Sequence, residues 1–511
     1  MRKRFFLGSD IGTSSCKTII ISSDGEVMGQ ASKEYWPISP TPGWAEIDPE
    51  QWYQAFLETF ESSCKTSGIS PADIVAIGLT GQMVTVAFID EDKKPLRPAI
   101  LWYDERGFDE LGNIQSKLGR RALEITRNPL NSTFTLPKLL WVQRNQPEIF
   151  NSIHKILWAS NYVCMKLTGN LVTDPTLASS SYMYDLKQSE WSQEIVSSIG
   201  VPGEILPSVK NAFDIAGLIT DEVSAKTGLR AGILVVTGTG DVSADNLAAG
   251  LVKPGQGMIR FGTCATISIS LDTPVLDEEG KCPFSAHSIP GVYILEGTSA
   301  AFGSSVRWFR DVFYLPDSQK STGNEDVADL YQLLDREAAS VPEGADGLFF
   351  HSFTTAAPYW VPNLRGQFIG INSGHRRGHF ARAVFEGTAY DLQEAMNNLS
   401  GIGVKMPKDF VAVGRGTLSK IWCQTISNVL GITLVLTKEA DASLGAAMLA
   451  GIGTGGFRDF EDAVSKCVHY IDKVEPDVSL SNFYKQQFKR FKLIHESLVE
   501  MSKSLSKKGL Y

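Results

Sequence analysis

The chain has 511 residues, 43% of them hydrophobic and 21% charged, with a formal net charge of −9. That length suits two domains, the composition is that of a globular protein with a sizeable core, and the acidic balance argues against nucleic acid or an anionic membrane as partner. The seven cysteines are odd in number and none is paired as C-x-x-C, so reduced, buried thiols are expected rather than a disulfide frame or a zinc site.

Met1-Arg2-Lys3-Arg4 is basic, but only Phe5-Phe6-Leu7 follows before Asp10 interrupts, which is too short for an export signal. No apolar run approaches the ~18 residues of a membrane span, so the cytoplasm is the expected compartment. Residues 5–11 read as a strand that delivers Asp10 into the turn Gly12-Thr13-Ser14-Ser15. The β-branched run Thr18-Ile19-Ile20-Ile21 supplies a second strand, Ser23-Asp24-Gly25 a hairpin turn, and Val27 to Tyr35 a third strand. Pro49 to Ser67 has helical spacing, with Trp52, Phe56 and Phe60 on one face and Asp48 as N-cap. Ile74 to Leu79 is a buried strand closed by Thr80-Gly81-Gln82. Leu251 to Gly255, with Pro254 and Gly255, reads as an exposed connection between two domains. Beyond it, Gly257 to Phe261, the turn Gly262-Thr263-Cys264-Ala265 and the strand Thr266 to Leu271 repeat the opening grammar, with Tyr293 to Glu296 as third strand. This weak internal duplication predicts two turns able to grip one ligand. A strand ending at Val413, a Gly414-Arg415-Gly416 turn and a helix from Ser419 to Gly431 come next, and then a small-residue helix at about Ala442 to Leu449. Helices alternate with strands, so the class is α/β.

Four segments could carry chemistry. Asp10 cannot hold a phosphate but can hold a magnesium ion or its waters, and the Gly12-Thr13-Ser14 turn offers N–H groups and hydroxyls to phosphate oxygens. Residues 233–241, ILVVTGTGD, run a buried strand into a glycine turn that presents Asp241, placed to accept a proton from an attacking hydroxyl. Gly262-Thr263 repeats the phosphate turn. Gly414-Arg415-Gly416, followed by Ser419, lets a flat nucleotide lie against the backbone. Each turn alone is also consistent with an ordinary hairpin or strand–helix connection. No GxxxxGK[ST], HRD, DFG or HExxH pattern occurs, and His154, His351 and His375 read as ordinary polar residues rather than metal ligands.

Together and in this order, from Asp10 to about Gly451, the segments resemble the FGGY family of carbohydrate kinases. The resemblance implies two ribonuclease-H-like (actin-like ATPase) domains flanking a deep cleft. Residues 1–251 would form the sugar-binding domain, 252–490 the nucleotide-binding domain and 491–511 a C-terminal helix and tail. It implies ATP and Mg2+ as cofactors, with Asp10 near the metal through water. Gly12, Thr13, Ser14, Gly262 and Thr263 would be phosphate segments, Gly414, Arg415, Gly416 and Ser419 the adenosine segment, and Asp241 the catalytic base. Sugar is expected near Gln82, Met83, Trp102, Asp104 and Asp241. A homodimer is left open as the assembly.

Within the family the likeness to xylulokinases rests on Pro42-Gly43-Trp44-Ala45-Glu46 with Asp48-Pro49, on residues 78–83 (GLTGQM), on residues 97–104 (RPAILWYD) with Arg106, and on Trp360 to Gly370 with Arg365-Gly366. This chain departs where that group usually has His after Gln-Met, here Val84, and often Asn after the catalytic Asp, here Val242; Phe349 to Pro358 also lacks the usual pattern. Lost polar groups remove partners that buried sugar hydroxyls need. A pentulose such as xylulose is the expected acceptor, with ribulose, L-xylulose, gluconate, a polyol and autoinducer-2 as alternatives. Two other classes stay open: an actin-like or chaperone-type ATPase, and a non-catalytic sugar-binding regulator.

Overall fold

In the computed structural model, which describes residues 4–315, 327–352, 365–438 and 440–507, strand β1 (Phe5–Ile11) sends Phe6 to one face of a sheet and Leu7 to the other, both fully buried. The β-branched run forms its antiparallel partner β2 (Ser15–Ser22), and a turn with Gly25 at φ +87 leads into β3 (Val27–Glu34). Asp48 caps helix α1 (Pro49–Ser67) by accepting the Glu50 N–H at 3.0 Å, and Gly68 ends it at φ 70. Trp52, Phe56 and Phe60, each four residues on from the last, are the buried face. The chain then returns as β4 (Ile74–Gly81), parallel to β1. Later come β5 (Ile215–Leu218), β6 (Leu234–Val236) and the two-residue β7 (Thr239–Gly240). The strands lie in the order β5-β6-β4-β1-β2-β3, and β7 extends the β4 edge.

The chain divides into two compact units. One comprises Met1–Pro254, Ser270–Leu295 and Glu439–His469, the other Gly255–Ile269, Glu296–Lys438 and Tyr470–Tyr511. In the first unit the sheet is apolar on both faces. Leu7, Ile11, Ile20 and Ile77 join α1 in one core, whereas Phe6, Ile19, Ile21 and Ala76 join the helix Ala442–Gly453 in another. That helix lies on bare backbone: a Cβ at Gly8 would stand 2.0 Å from the Ser443 carbonyl oxygen, and one at Gly78 1.9 Å from that of Ala446.

The second unit holds β8 (Gly257–Phe261), β9 (from Ala265–Leu271), β10 (from Tyr293–Ser299), β11 (Asp409–Val413), β12 (Thr433–Thr437) and β13 (Tyr470–Val474). Their order, β10-β9-β8-β11-β12-β13, repeats that of the first unit. The senses repeat as well: β8 is antiparallel to β9 and parallel to β11, β11 is parallel to β12, and β13 is antiparallel to β12. The duplication suggested by the Gly-Thr turns is thus a duplicated topology. The last helix spans Val478–Lys507. Residues 360–364 of the Trp360 to Gly370 segment, and residues 353–358 of the Phe349 to Pro358 stretch, lie outside the described residues. Among the described residues no helix is long and apolar enough to cross a membrane.

The close approach of helix and sheet yields a stability prediction. Gly78→Ala forces a methyl onto a helix carbonyl, and overpacking of this kind costs about 1–3 kcal/mol. Gly203→Ala, with nothing within 4 Å of the new carbon, serves as control. Urea denaturation should show the first variant clearly destabilised and the second within about 0.5 kcal/mol of the parent; equal stabilities would contradict the packing described.

Candidate active site

Three strands of the first unit end side by side. β1 pairs in parallel with β4 so that Asp10 lies opposite Thr80 and Ile11 opposite Gly81. On the other side of β4, Thr239 pairs with Thr80 and Gly240 with Gly81. Gln82 and Asp241 therefore leave the sheet side by side and Asp10 stands two residues below them, all at the carboxyl ends of neighbouring parallel strands, where open α/β sheets present ligand sites. Gly238 makes this possible: its φ is +79, and a Cβ there would lie 2.1 Å from the Leu79 carbonyl oxygen. Gly240 in turn caps helix α2 (Asp241–Ala248), which sets Asp241 in the first turn at the positive end of the helix, its Oδ1 accepting the Val242 N–H at 3.0 Å.

The turn after β1 is tied down from several directions. The Gly12 N–H donates to the Ser15 carbonyl (3.0 Å), and the Tyr35 hydroxyl donates to the carbonyls of Gly12 (2.6 Å) and Ser15 (3.1 Å). Burial pushes the Tyr35 phenol up, with the charges of Cys16 and Asp10 adding, so it stays a donor. The Asp10 carboxylate faces this turn, Oδ2 lying 3.9 Å from where a Gly12 Cβ would stand. Lys17, directly across from Asp10 in β2, forms an ion pair with Asp441; burial raises Asp441, but Lys17 outweighs it and holds that carboxyl below its usual range. Thr13 is half-buried and Ser14 exposed.

The acceptor-side residues fall into two groups. Met83 and Trp102 present side chains: Met83 lies against Gly240, whose missing Cβ would stand 2.9 Å from its sulfur, and Trp102, 42% exposed, donates from Nε1 to Thr13 Oγ1 at 2.9 Å. Gln82 and Asp104 are spent internally. Gln82 donates to the Gly12 carbonyl (3.1 Å) and accepts from the Thr85 hydroxyl (2.9 Å). Asp104 is fully buried; Oδ1 accepts from Arg106 N and Nε, and Oδ2 from Arg106 Nη2 and the Ala45 N–H. The Arg106 guanidinium lies 4.1 Å from the Trp44 ring and 4.9 Å from the Trp141 ring and pairs with Glu46. Ala45, Glu46, Asp104 and Arg106 thus form one buried scaffold, from which Trp102 and Tyr103 stand exposed.

In the second unit the ends of β8 and β11 are also adjacent, Arg260 lying opposite Val413. The structure brings Gly262-Thr263 and Gly414–Gly416 together there. The Gly262 carbonyl accepts the Gly303 N–H (3.1 Å) and the Thr263 carbonyl those of Phe302 (3.2 Å) and Ser304 (3.1 Å), anchoring the helix Gly303–Phe313. Gly414 has φ +97 and would drive a Cβ to 2.6 Å from the Phe261 carbonyl oxygen. Arg415 is exposed, and Trp422 stacks on Phe302 at 4.3 Å beneath the turn. The Ser419 hydroxyl caps the helix Lys420–Leu430, accepting the Trp422 N–H (3.2 Å), and donates to Asp335 (2.8 Å), whose carboxyl burial raises.

Sequence reasoning missed Asp174. This fully buried carboxylate caps the helix Pro175–Ser179 and accepts the Thr239 hydroxyl at 2.6 Å, fastening the turn that carries Asp241. Its Asp-Pro pair is a legible cap signal, but the partner 65 residues away is not.

Two α/β units with matching topology, each offering a Gly-Thr turn at parallel strand ends, and in one of them Asp10 and Asp241 at the ends of strands that flank a third, fit a phosphotransferase of the sugar-kinase type. The chain belongs to the FGGY family of carbohydrate kinases: residues 5–248 match its N-terminal domain and residues 257–454 its C-terminal domain. It is 30% identical over 505 residues to the xylulose kinase of Lactococcus lactis, covering 98% of each chain. It is 29% identical over 468 residues to the gluconokinase of Bacillus subtilis, covering 91% of this chain and 90% of that one. The crystal structure of xylulose kinase from Rhodospirillum rubrum superposes with a TM-score of 0.86 at 29% identity, covering 98% of this chain and 100% of that one.

Asp174 gives a pH prediction. Burial raises its carboxyl to about 6, the hydrogen bonds from Thr239, Leu177 and Thr176 only partly opposing. The folded value exceeds the ~3.9 of an unfolded aspartate, so the folded chain holds the proton more tightly and the stabilisation is complete only below about pH 4 and lost as pH rises through about 6. Asp174→Asn keeps the capping oxygen and removes the ionisation. Its melting temperature relative to the parent should therefore improve between pH 4.5 and pH 7.5; a relative decline over that range would contradict the assignment.

Proposed function

We propose that the chain transfers the terminal phosphate of ATP to a primary hydroxyl of a pentulose, xylulose first among them, in the cytoplasm. The observation that carries this is the alignment of Asp10, the Gln82-Met83 segment and Asp241 at the ends of three adjacent strands of the first unit. Asp241 is assigned as the base: it takes the proton of the acceptor hydroxyl as that oxygen bonds to phosphorus and the bond to ADP breaks. A positioned base of this kind is worth about 10²–10⁴ in rate. Met83 and Trp102 are assigned to the acceptor. Gln82 and Asp104, whose polar atoms are engaged within the protein, are assigned to holding those two side chains in place.

Gly12, Thr13 and Ser14 in the first unit, and Gly262, Thr263, Gly414, Arg415 and Gly416 in the second, are assigned to the nucleotide, with Ser419 forming the helix cap behind it. The glycines suit that role, because a Cβ at Gly12 or Gly262 would stand 3.0 Å from a carbonyl of its own turn, so the bare backbone is needed for the cradle. The donor set also fits magnesium, which is usually bound by one or two carboxylates together with phosphate oxygens and water; Asp10 is the carboxylate assigned to it. When bound, the ion supplies charge neutralisation at the phosphates.

The gluconokinase relative favours one second reading, in which the acceptor is a sugar acid. Val84 and Val242 fit it no better than a pentulose, since neither offers a hydrogen bond. An ATP-coupled assay across xylulose, ribulose, L-xylulose, gluconate, polyols and autoinducer-2 decides between them. The highest kcat/KM is expected with xylulose. A preference for gluconate would replace the pentulose assignment, and ATP consumption unaffected by every acceptor would overturn the proposed transfer.

A further inference from the structure

Lys138 lies in the helix Thr135–Asn145 of the first unit and is fully buried. Its ammonium group donates to two backbone carbonyls, those of Val84 (2.9 Å) and Leu101 (2.7 Å). A lysine is rarely buried whole, and when it is, an opposite charge usually meets it. Here no carboxylate bonds the nitrogen in the described structure, and burial pushes the group down to about 7, the charge of Asp104 opposing in part. The ammonium is given over to holding main chain.

Each of these carbonyls belongs to a residue adjoining a side chain assigned to the acceptor. Val84 has φ 57, in the left-handed region, and is the only β-branched residue with positive φ among the described residues. Such backbone is disfavoured for a β-branched side chain and persists only where surrounding contacts impose it. Met83, just before Val84, lies against Gly240, which precedes Asp241. Trp102, just after Leu101, donates to Thr13 in the first Gly-Thr turn. One nitrogen therefore fastens the segment that touches the turn of the proposed base and the segment that touches the proposed phosphate turn.

We propose that Lys138 is a positioning residue for the acceptor site: by binding the Val84 and Leu101 carbonyls it imposes the left-handed backbone at Val84 and so sets Met83 and Trp102 for the sugar. This rests on the assignment of those two side chains to the acceptor. The strain at Val84 makes the claim testable, because glycine adopts the left-handed region freely and should no longer need the clamp.

The experiment is a double-mutant cycle on the full chain with Lys138→Met, Val84→Gly and the pair. With xylulose as acceptor, Lys138→Met should raise the acceptor KM, taken at saturating MgATP, about tenfold or more, the size expected for a lost buried pairing, while the ATP KM, taken at saturating xylulose, stays within about threefold. In the Val84→Gly background the same lysine change should cost less than about threefold, a non-additivity that independent sites do not show. An equal loss in both backgrounds, or none in either, overturns the proposal. Backbone hydrogen exchange supplies a readout that needs no acceptor. Lys138→Met should speed exchange at residues 82–86 and 100–106 without loosening residues 135–145, and Val84→Gly should remove the difference. Exchange raised throughout the helix, or unaltered at both segments, rejects the clamp, whereas failure of every acceptor in the assay rejects the proposed transfer and leaves the clamp to be decided by exchange. Should Lys138→Met fail to fold, Lys138→Leu, which also removes the donor, takes its place in the same cycle.

Discussion

Everything proposed for the first unit depends on the register of β4 between its two parallel neighbours. Because Asp10 and Thr239 both pair with Thr80, the residues that leave the sheet do so together. A shift of a single residue would reverse which face each side chain meets and separate the two carboxylates by a strand step. The register is defended by bare backbone. Gly8 and Gly78 let the helix Ala442–Gly453 seat directly on β1 and β4, and Gly445 of that helix would set a Cβ 2.1 Å from the Ala244 carbonyl oxygen in α2, the helix that begins with Asp241. One small-residue helix thus braces both strands and the helix that carries the proposed base.

The regular elements are legible in the sequence because local physics decides them. The helix after Asp48 has its cap, its proline and its apolar face in a single stretch. The strand at residues 16–22 stems from its β-branched run, and the one at residues 5–11 from Phe5-Phe6-Leu7 ahead of a glycine turn. The Gly-Thr turns also point to the duplicated topology, since a hairpin followed by a parallel strand needs the same punctuation twice. What escapes is long-range. Nothing in the sequence pairs Asp174 with Thr239, Lys138 with the Val84 carbonyl, or Tyr35 with the Gly12 turn. The same limit applies to the internal partners of Gln82, Asp104 and Ser419, which are the Gly12 carbonyl, Arg106 and Asp335. His351 reads in the sequence as an ordinary polar residue; it is buried and stacked on Phe491 at 4.2 Å, where burial brings it down to about 3 and keeps it neutral.

The two units carry related scaffolds with different endings. Where β1 presents Asp10 ahead of its glycine turn, β8 presents Arg260 ahead of the matching one, so one copy offers a carboxylate and the other a cation at corresponding places. The second unit adds an aromatic floor of Phe261, Phe302, Phe385 and Trp422 under its turn. The first instead adds a charged scaffold of Glu46, Asp104 and Arg106 behind Trp102. An apolar floor suits a flat nucleotide base and a hydrogen-bonded scaffold suits a small hydroxylated acceptor, which is the division of labour proposed for them.

The central claim is that Asp241 does the proton transfer. The most direct measurement is single-turnover transfer of labelled γ-phosphate from ATP to the preferred acceptor, with the parent chain and Asp241→Ala compared alongside direct nucleotide binding. The account predicts that ATP affinity stays within several-fold while the transfer rate falls by about 10²–10⁴. Transfer at the parental rate by Asp241→Ala would contradict it.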